Sequence, residues 1–450
     1  MKLYAIVVFL LFFNLKSKAQ EVENGYRSGR YQTFSKDGAW CWFSDPRAVY
    51  LNGKIYSGWV AADGSIVVGS YDQETAEIKQ VNLFPTFNKD DHANPTFLIL
   101  PDKRIMVFFS AHNGKGFGEE KPAIFYTTSK KPEDISEWET LQRKTENVEG
   151  PKGFCYTNPV MLSAENNRIY IFWRGGDWKP TFSYTDDFGV TWSQPFTLVK
   201  SSLNEGKRPY VKVSSNGKDE IYFAFTDGHP GNEPLNSIYY LKYRVGKFYK
   251  ADGTVVGSMH SLPLEHEDCD IVYDANQAFK VSRNGVRSWI WDVSSDKSGN
   301  PVLVYTRLPA ETKHEYYYAK WNGDTWLDYK ISSAGSFFPR YPKTKEMQEP
   351  EPHYSGGVYL DHENTNVVYY SRPIGDIFEI FKAETKDAGA TWVEVSITSN
   401  STKDNVRPFA IRGAGDDAKA QVLWMYNDQY THYKEFKARI KMDLLEKKKE

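Results

Sequence analysis

The sequence is poor in the features that place a chain in several common classes of protein. It has only three cysteines, Cys41, Cys155 and Cys269, which lie far apart and are odd in number. A chain of 450 residues can build enough core without cross-links, so we expect no disulfide, or at most one. The formal net charge is only −2, which argues against a nucleic-acid partner because general nucleic-acid binders are usually strongly basic.

Long apolar runs are absent after the first 20 residues. Residues 1–20 combine a basic start, an apolar stretch from Leu3 to Phe13 and a small-residue site at Ala19. This order is typical of a signal peptide, so we predict a signal peptide at residues 1–19 and one mature domain at residues 20–450. Because the apolar stretch is too short to span a bilayer, we expect a secreted or periplasmic protein with no membrane partner.

Helical periodicity is also scarce, and the charged tail at residues 434–450 is expected to be a solvated end. Instead, short runs rich in β-branched and aromatic residues recur, among them KIYSGWV, RIMVFFSA and RIYIFWR, with turn residues between them. Aromatic residues make up 16% of the chain, which favours strands and a surface for stacking against sugars. Strands this short and regular indicate an all-β sandwich, barrel or propeller.

Two segments favour the propeller. Residues 185–192 and 385–392 both read T-x-D-x-G-x-T-W. The pattern resembles the Asp-box of sialidase-like propellers, in which the Asp caps a turn, the Gly supplies a positive φ and the Trp packs beneath. Dividing roughly 430 residues by about 60 per blade gives about seven blades. We therefore predict a single seven-bladed β-propeller with Asp-box turns, whose closed sheet edges favour a monomer.

Four polar residues occupy matching positions in this pattern. His92 and Tyr156 each stand two places before an Asn-Pro pair that opens an apolar strand. His112 and Arg174 each follow the next strand along the chain. Taken singly, His92 could cap a turn, Tyr156 could belong to the core and Arg174 could pair with Asp177. The repeated context instead predicts one site, because strand ends of neighbouring blades can hold polar groups in a shared cavity.

The residue types in this set suit one reaction better than others. No paired carboxylates of the glycosidase kind, no G-x-S-x-G and no H-E-x-x-H are evident in the sequence. Proton abstraction beside a uronic acid carboxylate requires cationic groups to stabilise the developing charge, a role for Arg and His. It also requires a base and an acid, for which His and Tyr are suitable. This β-elimination requires no metal or other cofactor.

Further residues at the same strand starts are candidates for substrate contact. Arg208 and Tyr210 open another inner strand, where Arg suits sulfate or carboxylate and a structural salt bridge is the alternative. Asn94 and Asn158, in the two Asn-Pro pairs, complete the predicted substrate-binding set.

From DDHANPTF through YTNPVML, FWRGGDW, KRPYVKV and HYSGGVYLDHENTNVVYYSR, the chain resembles the BNR-repeat polysaccharide lyases, in particular the seven-bladed propeller ulvan lyases of marine bacteria. The resemblance covers most of the mature chain. It implies that His92 and Tyr156 form the proton-transfer pair and that His112 and Arg174 neutralise the uronate carboxylate. Which of His92 and Tyr156 is the base stays open. Family members can carry a structural metal near the segment that matches residues 226–230, but the ligands in this chain are unknown.

The resulting prediction is a lyase that cleaves ulvan, a sulfated uronate-containing polysaccharide, at the linkage from rhamnose-3-sulfate to uronate. The product would carry an unsaturated uronyl end. Two alternatives stay open on the sequence alone. One is a rhamnosidase-type glycoside hydrolase on a related propeller, and the other is a propeller that binds glycans without catalysis.

Overall fold

The computed structural model describes residues 26–112, 116, 118–119, 121–150, 153–282, 286–310, 313–335 and 354–447. Within them the chain folds into seven antiparallel sheets, each of at least four strands, which are the blades of a β-propeller. The prediction of an all-β, seven-bladed propeller is therefore confirmed. The predicted signal peptide at residues 1–19 lies outside the described residues and stays a prediction.

The strands of each blade succeed one another from the central axis outward. In that order, blade 1 consists of Ala48–Leu51, Lys54–Val60, Ile66–Asp72 and Ile78–Phe84; blade 2 of Thr96–Ile99, Ile105–Ser110, Ile124–Thr128 and Gln142–Lys144; blade 3 of Cys155–Leu162, Arg168–Arg174, Pro180–Thr185 and Phe196–Thr197. Blade 4 consists of Val211–Ser215, Glu220–Thr226, Ile238–Arg244, Lys247–Tyr249 and Val255–Ser258, with Asp270–Tyr273 also paired to Ile238–Arg244. Blade 5 consists of Arg287–Ser295, Pro301–Ala310, Lys313–Trp321 and Trp326–Gly335; blade 6 of Val358–Leu360, Val367–Ile374, Ile377–Glu384 and Val393–Ser396; blade 7 of Asn405–Ala410, Val422–His432, Glu435–Lys447 and Tyr26–Ser35.

The remaining elements are short. A parallel pair joins Val199–Lys200 to Leu264–Glu265, and one α-helix spans Ala275–Ser282. The 3₁₀ turns are Asp91–Ala93, Ser163–Glu165, Gly176–Trp178, Met259–Ser261 and His266–Asp268. None of the helices in the described residues has the length and apolar character that crossing a membrane requires.

Blade 7 corrects the interpretation of the charged tail. Glu435–Lys447 is a 13-residue strand that lies between Val422–His432 and the first strand of the described residues, Tyr26–Ser35. Its buried apolar residues, Phe436, Ala438, Ile440 and Met442, alternate with charged ones, which is the period of a half-buried strand. The tail therefore closes the ring by pairing with the start of the described chain and is not a solvated end.

The two T-x-D-x-G-x-T-W segments form matching turns between the third and fourth strands of blades 3 and 6. In the first, the Thr191 backbone N–H donates to Asp187 Oδ1 at 2.9 Å, and Gly189 adopts a φ of 92°. In the second, the equivalent bond from Thr391 to Asp387 is 2.8 Å. Glycine is needed in the turn because L-residues with a side chain rarely adopt this left-handed backbone.

The axis of the propeller is filled by a segment of the chain itself, residues 40–47, which we call the central segment. Its residues are buried except for the half-buried Pro46. Every blade from 2 to 7 contacts this segment from a residue on or beside its innermost strand. In blade order, these residues are Asn94, Asn158, Lys212, Trp291, Tyr359 and Arg407.

The central segment is held by charge as well as by packing. Lys212 donates to the Asp45 carboxylate and to the Trp42 carbonyl, and Tyr359 donates to the same two groups at 2.8 Å each. Arg47 donates to Asp45 at 3.0 Å. Burying these charges is tolerable because each faces an opposite charge or a hydrogen-bond partner. Cys41 in this segment, Cys155 and Cys269 are free thiols, as expected.

Candidate active site

The four predicted catalytic residues lie at one end of blades 2 and 3. His92 belongs to the 3₁₀ turn that precedes the inner strand of blade 2, and His112 follows its second strand. Tyr156 lies at the start of the inner strand of blade 3, where its neighbour Cys155 pairs with Arg174 at the end of the second strand. In an antiparallel pair, the start of one strand meets the end of the next, so both blades present their polar residues at the same edge.

The two histidines are in direct contact. Their rings stack in parallel, with centroids 4.0 Å apart and planes 8° from parallel. The Tyr156 ring lies 5.7 Å from His92 and 6.0 Å from His112. Tyr433 of blade 7 packs edge-on against both imidazoles, at 4.8 and 5.4 Å. The structure thus brings three of the four predicted residues into one cluster.

The Asp90 carboxylate contacts both histidines of the pair. His92 Nδ1 is 2.7 Å from one of its carboxylate oxygens, and His112 Nδ1 is 2.9 Å from the other. Asp91 Oδ1 also lies 2.9 Å from His92 Nδ1. The sequence did not reveal these contacts, because the two adjacent carboxylates could be solvent-exposed in a turn until the fold placed His112 beside them.

Electrostatics separate the two imidazoles. Burial lowers the pKa of His92, but the surrounding acidic groups outweigh burial and hold this pKa well above its ordinary value. These groups are Cys41, Tyr156, Asp90 and Asp91. Burial lowers the pKa of His112 as well, the charge of His92 lowers it further, and Asp90 offsets only part of the decrease. At neutral pH the pair therefore carries one proton in excess, and it resides on His92.

Tyr156 has a strained backbone, with a φ of 65° at a bulge of the inner strand. The Asn158 side chain donates to the Tyr156 carbonyl at 2.8 Å, and Phe43 of the central segment packs 5.3 Å from its ring. Burial raises the pKa of the Tyr156 phenol well above its ordinary value, although the charge of His92 lowers it in part. The phenol is therefore protonated in the resting site.

Arg174 joins the cluster through Tyr210. Its Nη1 donates to the Tyr210 hydroxyl at 3.0 Å, and its guanidinium lies 3.9 Å from the centroid of the same ring. The Tyr210 ring in turn is 6.1 Å from Tyr156. Asp177 forms a salt bridge with Arg208 at 2.9 Å. The alternative role of Arg174, a salt bridge with Asp177, is therefore not observed in the fold. Arg208 is half-exposed at the rim.

The structure gives Asn94 and Asn158 a different role from the predicted contact with substrate. Both side chains are 1% exposed. Asn94 accepts from the Cys41 N–H at 3.0 Å, and Asn158 accepts from the Asp45 N–H at 3.1 Å. Their amides are thus used to hold the central segment against blades 2 and 3, so we no longer assign these residues to substrate binding.

His229 is a member of the site that sequence reasoning left out. It follows the second strand of blade 4, as His112 and Arg174 follow the second strands of blades 2 and 3, and this position was the available signal. Its Nδ1 accepts from the Gly231 N–H at 3.0 Å. Burial and the charges of Arg174 and His92 lower the pKa of His229 to about 3, so it is a neutral group beside Tyr210.

The segment where the resemblance allows a structural metal does not fit one. The Asp227 carboxylate binds the Lys207 ammonium at 2.5 Å, accepts from the Tyr239 hydroxyl at 3.2 Å and accepts from the Ser237 N–H at 2.8 Å. A protein cation thus already occupies the carboxylate that a metal would need. In the candidate site, two sets have ligand atoms within 4.8 Å of one another, namely Asp90 with His92 and His112, and Cys41 with Asp91 and His92. The 2.7 and 2.9 Å contacts of Asp90 are hydrogen-bond distances, so the first set is already joined by hydrogen bonds within the protein.

Known proteins resemble this chain over most of its length. An ulvan lyase from Nonlabens ulvanivorans is 26% identical over 416 residues, which cover 84% of this chain and 85% of that protein. The protein "Ulvan Lyase-PL25" from Pseudoalteromonas sp. (strain PLSV) is 23% identical over 342 residues, or 66% of this chain and 67% of that protein.

Solved structures agree in fold. A PL25 ulvan lyase structure superposes with a TM-score of 0.68 at 17% identity, covering 93% of this chain and 96% of that one.

The sequence family described as "BNR repeat-containing family member" matches residues 54–334, which is more than half of the chain. The chain therefore belongs to the BNR repeat-containing family.

Proposed function

We propose that this protein is a polysaccharide lyase that cleaves ulvan at the linkage from rhamnose-3-sulfate to uronate by β-elimination. The observation that carries the proposal is the cluster formed by the stacked His92–His112 pair, Tyr156 and the Arg174–Tyr210 unit. It combines two cationic groups with a neutral imidazole and a protonated phenol within one site. The names of the similar proteins support ulvan as the substrate, and one solved structure of similar fold holds the unit -[GlcA(1-4)Rha3S]-.

The reaction needs the uronate carboxylate to be neutralised before its C5 proton can leave. Arg174 and the His92 imidazolium supply positive charge on neighbouring blades, in a site that is largely shielded from water. Buried charges of this kind stabilise the developing enolate dianion more strongly than charges in water can. Such a site favours a lyase over a hydrolase, for which the cluster offers no second carboxylate on the opposite side of a scissile bond.

The resting charges favour an exchange of the two histidine roles implied by the resemblance. His112 is the neutral imidazole, so it can accept the C5 proton without first losing one. His92 already carries its extra proton, so it neutralises the uronate carboxylate together with Arg174. The Tyr156 phenol, which keeps its proton, is the acid that protonates the departing 4-oxygen.

The dependence of kcat/KM on pH tests this assignment. With His112 as base, kcat/KM on ulvan rises with pH through an inflection below the ordinary histidine value of 6.5. It then falls through a second inflection above 6.5, as His92 loses the proton that its carboxylates favour. Because the two histidines interact, each inflection reports an apparent pKa of the pair and not the pKa of one residue. A profile that only rises, with its inflection above 6.5, would instead make His92 the base.

The lyase activity is tested by incubating the protein with ulvan and following ultraviolet absorbance together with product masses. We expect absorbance to grow as unsaturated uronyl ends form, and no water to be added to the products. Release of free rhamnose without an absorbing product would support the hydrolase alternative. Binding of ulvan with no product of either kind would support a glycan-binding propeller.

A further inference from the structure

One buried carboxylate spans both histidines of the candidate site. Asp90 is 1% exposed. Its Oδ1 accepts from the His92 backbone N–H at 3.1 Å and lies 2.7 Å from His92 Nδ1. Its Oδ2 lies 2.9 Å from His112 Nδ1. A single rigid group therefore contacts the same ring atom on two stacked imidazoles.

The chemistry of the carboxylate fixes the protons on both rings. Burial raises the pKa of Asp90, but the two histidines outweigh burial and hold this pKa well below its ordinary value. An ionised carboxylate can only accept hydrogen bonds, so each contact requires a hydrogen on Nδ1. A neutral imidazole with hydrogen on Nδ1 has its lone pair on Nε2. No described residue hydrogen-bonds to Nε2 of either ring.

The neighbouring carboxylate shares this role only in part, since Asp91 Oδ1 lies 2.9 Å from His92 Nδ1. The Arg407 guanidinium of blade 7 donates to Asp91 at 2.5 Å, and the Tyr430 hydroxyl also donates to Asp91. The charge of Asp91 is thus matched by Arg407, whereas within the described part of the chain the charge of Asp90 faces the extra proton of the histidine pair. Asp90 therefore both orients the pair and requires that it carry one proton.

We propose that Asp90 is a positioning residue, which holds His92 and His112 with Nδ1–H toward itself and both Nε2 atoms toward the substrate. Its consequence for turnover rests on the proposed lyase function, but the ring tautomers do not. In other histidine-dependent sites, an Asp that binds Nδ1–H in this way keeps the imidazole in the reactive tautomer.

The variant Asp90→Asn tests the proposal because it preserves shape and changes the hydrogen-bonding capacity. Its amide oxygen can accept Nδ1–H from one ring, but its NH₂ group must face a lone pair on the other. Because Asp91 Oδ1 still faces His92 Nδ1, the ring that meets the NH₂ group is His112, which is then forced to carry hydrogen on Nε2 and loses its reactive lone pair. We expect kcat on ulvan to fall by about 10²–10⁴-fold, with KM changed by no more than about threefold.

The tautomers are measured directly by NMR of protein labelled with ¹⁵N at histidine, without substrate. In the wild type, His92 and His112 should both show hydrogen on Nδ1, and their signals are assigned from His92→Gln and His112→Gln variants. In Asp90→Asn, one of the two should change to hydrogen on Nε2. The matched control is Asp102→Asn on the same blade, whose carboxylate is 52% exposed and pairs with Arg104. It should leave kcat and both tautomers unchanged.

Charged and titratable groups face the histidine pair from several elements. The ¹⁵N spectra should therefore be recorded across pH, so that titration of these groups is distinguished from a change of histidine tautomer. These groups are Asp90 and Asp91 beside the pair, Cys41 of the central segment, Cys155 and Tyr156 of blade 3, Arg174 and His229 of blades 3 and 4, and Arg407, Tyr430, His432 and Tyr433 of blade 7.

The outcomes separate this proposal from the proposed function. A wild-type spectrum with hydrogen on Nε2 and a lone pair on Nδ1 of either ring overturns the positioning role, even if ulvan is cleaved. An active wild type whose Asp90→Asn variant keeps kcat within threefold also overturns it. If the wild type shows the predicted tautomers but does not cleave ulvan, the positioning role is supported and the lyase proposal is contradicted. If Asp90→Asn fails to fold, the wild-type tautomers still decide.

Discussion

Replacement of Tyr156 by Phe is expected to lower kcat on ulvan by about 10²–10⁴-fold, the range that loss of a positioned general acid usually costs. The change removes only the hydroxyl. Packing against Phe43 and Tyr210 is retained, and the strained backbone is still held by Asn158. Because the proton donor to the leaving oxygen is lost while the carboxylate contacts remain, kcat should fall much more than KM rises.

Steady-state kinetics on ulvan, followed by the absorbance of the unsaturated ends, measure this effect. Tyr329→Phe is the matched control, since Tyr329 lies on the outer strand of blade 5 and is 37% exposed. This control should keep wild-type kcat and KM. Full activity in Tyr156→Phe, with the fold intact by circular dichroism, would remove Tyr156 from the reaction and leave the lyase proposal standing.

Replacement of Lys212 by Met is expected to have the largest effect on stability. Lys212 is fully buried and binds Asp45 and the Trp42 carbonyl of the central segment. Methionine leaves the Asp45 carboxylate with Arg47 and Tyr359 but without its ammonium partner. Removing one partner of a buried ion pair typically destabilises a protein by about 3–5 kcal/mol, because the remaining charge stays out of water.

Chemical denaturation at pH 7 measures the loss, with the midpoint and slope compared between variants. Lys330→Met is the matched control, since Lys330 is 46% exposed and forms a surface pair with Glu315 at 2.7 Å. Surface pairs contribute only about 0–1 kcal/mol, so this variant should unfold almost as the wild type does. Equal stability of the two variants would mean that the central segment does not depend on its buried charges.

The candidate site could be located from the sequence because its residues repeat with the blades. His92 and Tyr156 open inner strands, and His112 and Arg174 follow second strands, so a propeller brings them to one edge. The same rule could have found His229 on blade 4. It could not find Asp91–Arg407, because these residues are 316 positions apart and meet only when blade 7 completes the ring and lies beside the turn that precedes blade 2.

Two predictions failed for different physical reasons. The tail at Glu435–Lys447 already carries the alternation of a strand in Phe436, Ala438 and Ile440, but its many charges suggested a solvated end. Asn94 and Asn158 failed because a polar residue at the start of a strand can face either the substrate or the protein interior. Only the course of the central segment along the axis decides between these directions.

By itself, the sequence determined the all-β class, the number of blades and the edge at which His92, His112, Tyr156 and Arg174 gather, because these follow from local periodicity and a repeated position in each blade. The tertiary structure alone decided the charge of each histidine, the role of Asp90 and the buried support of residues 40–47. These depend on distances between groups that are far apart in the chain, and charge, burial and tautomer are set by such distances.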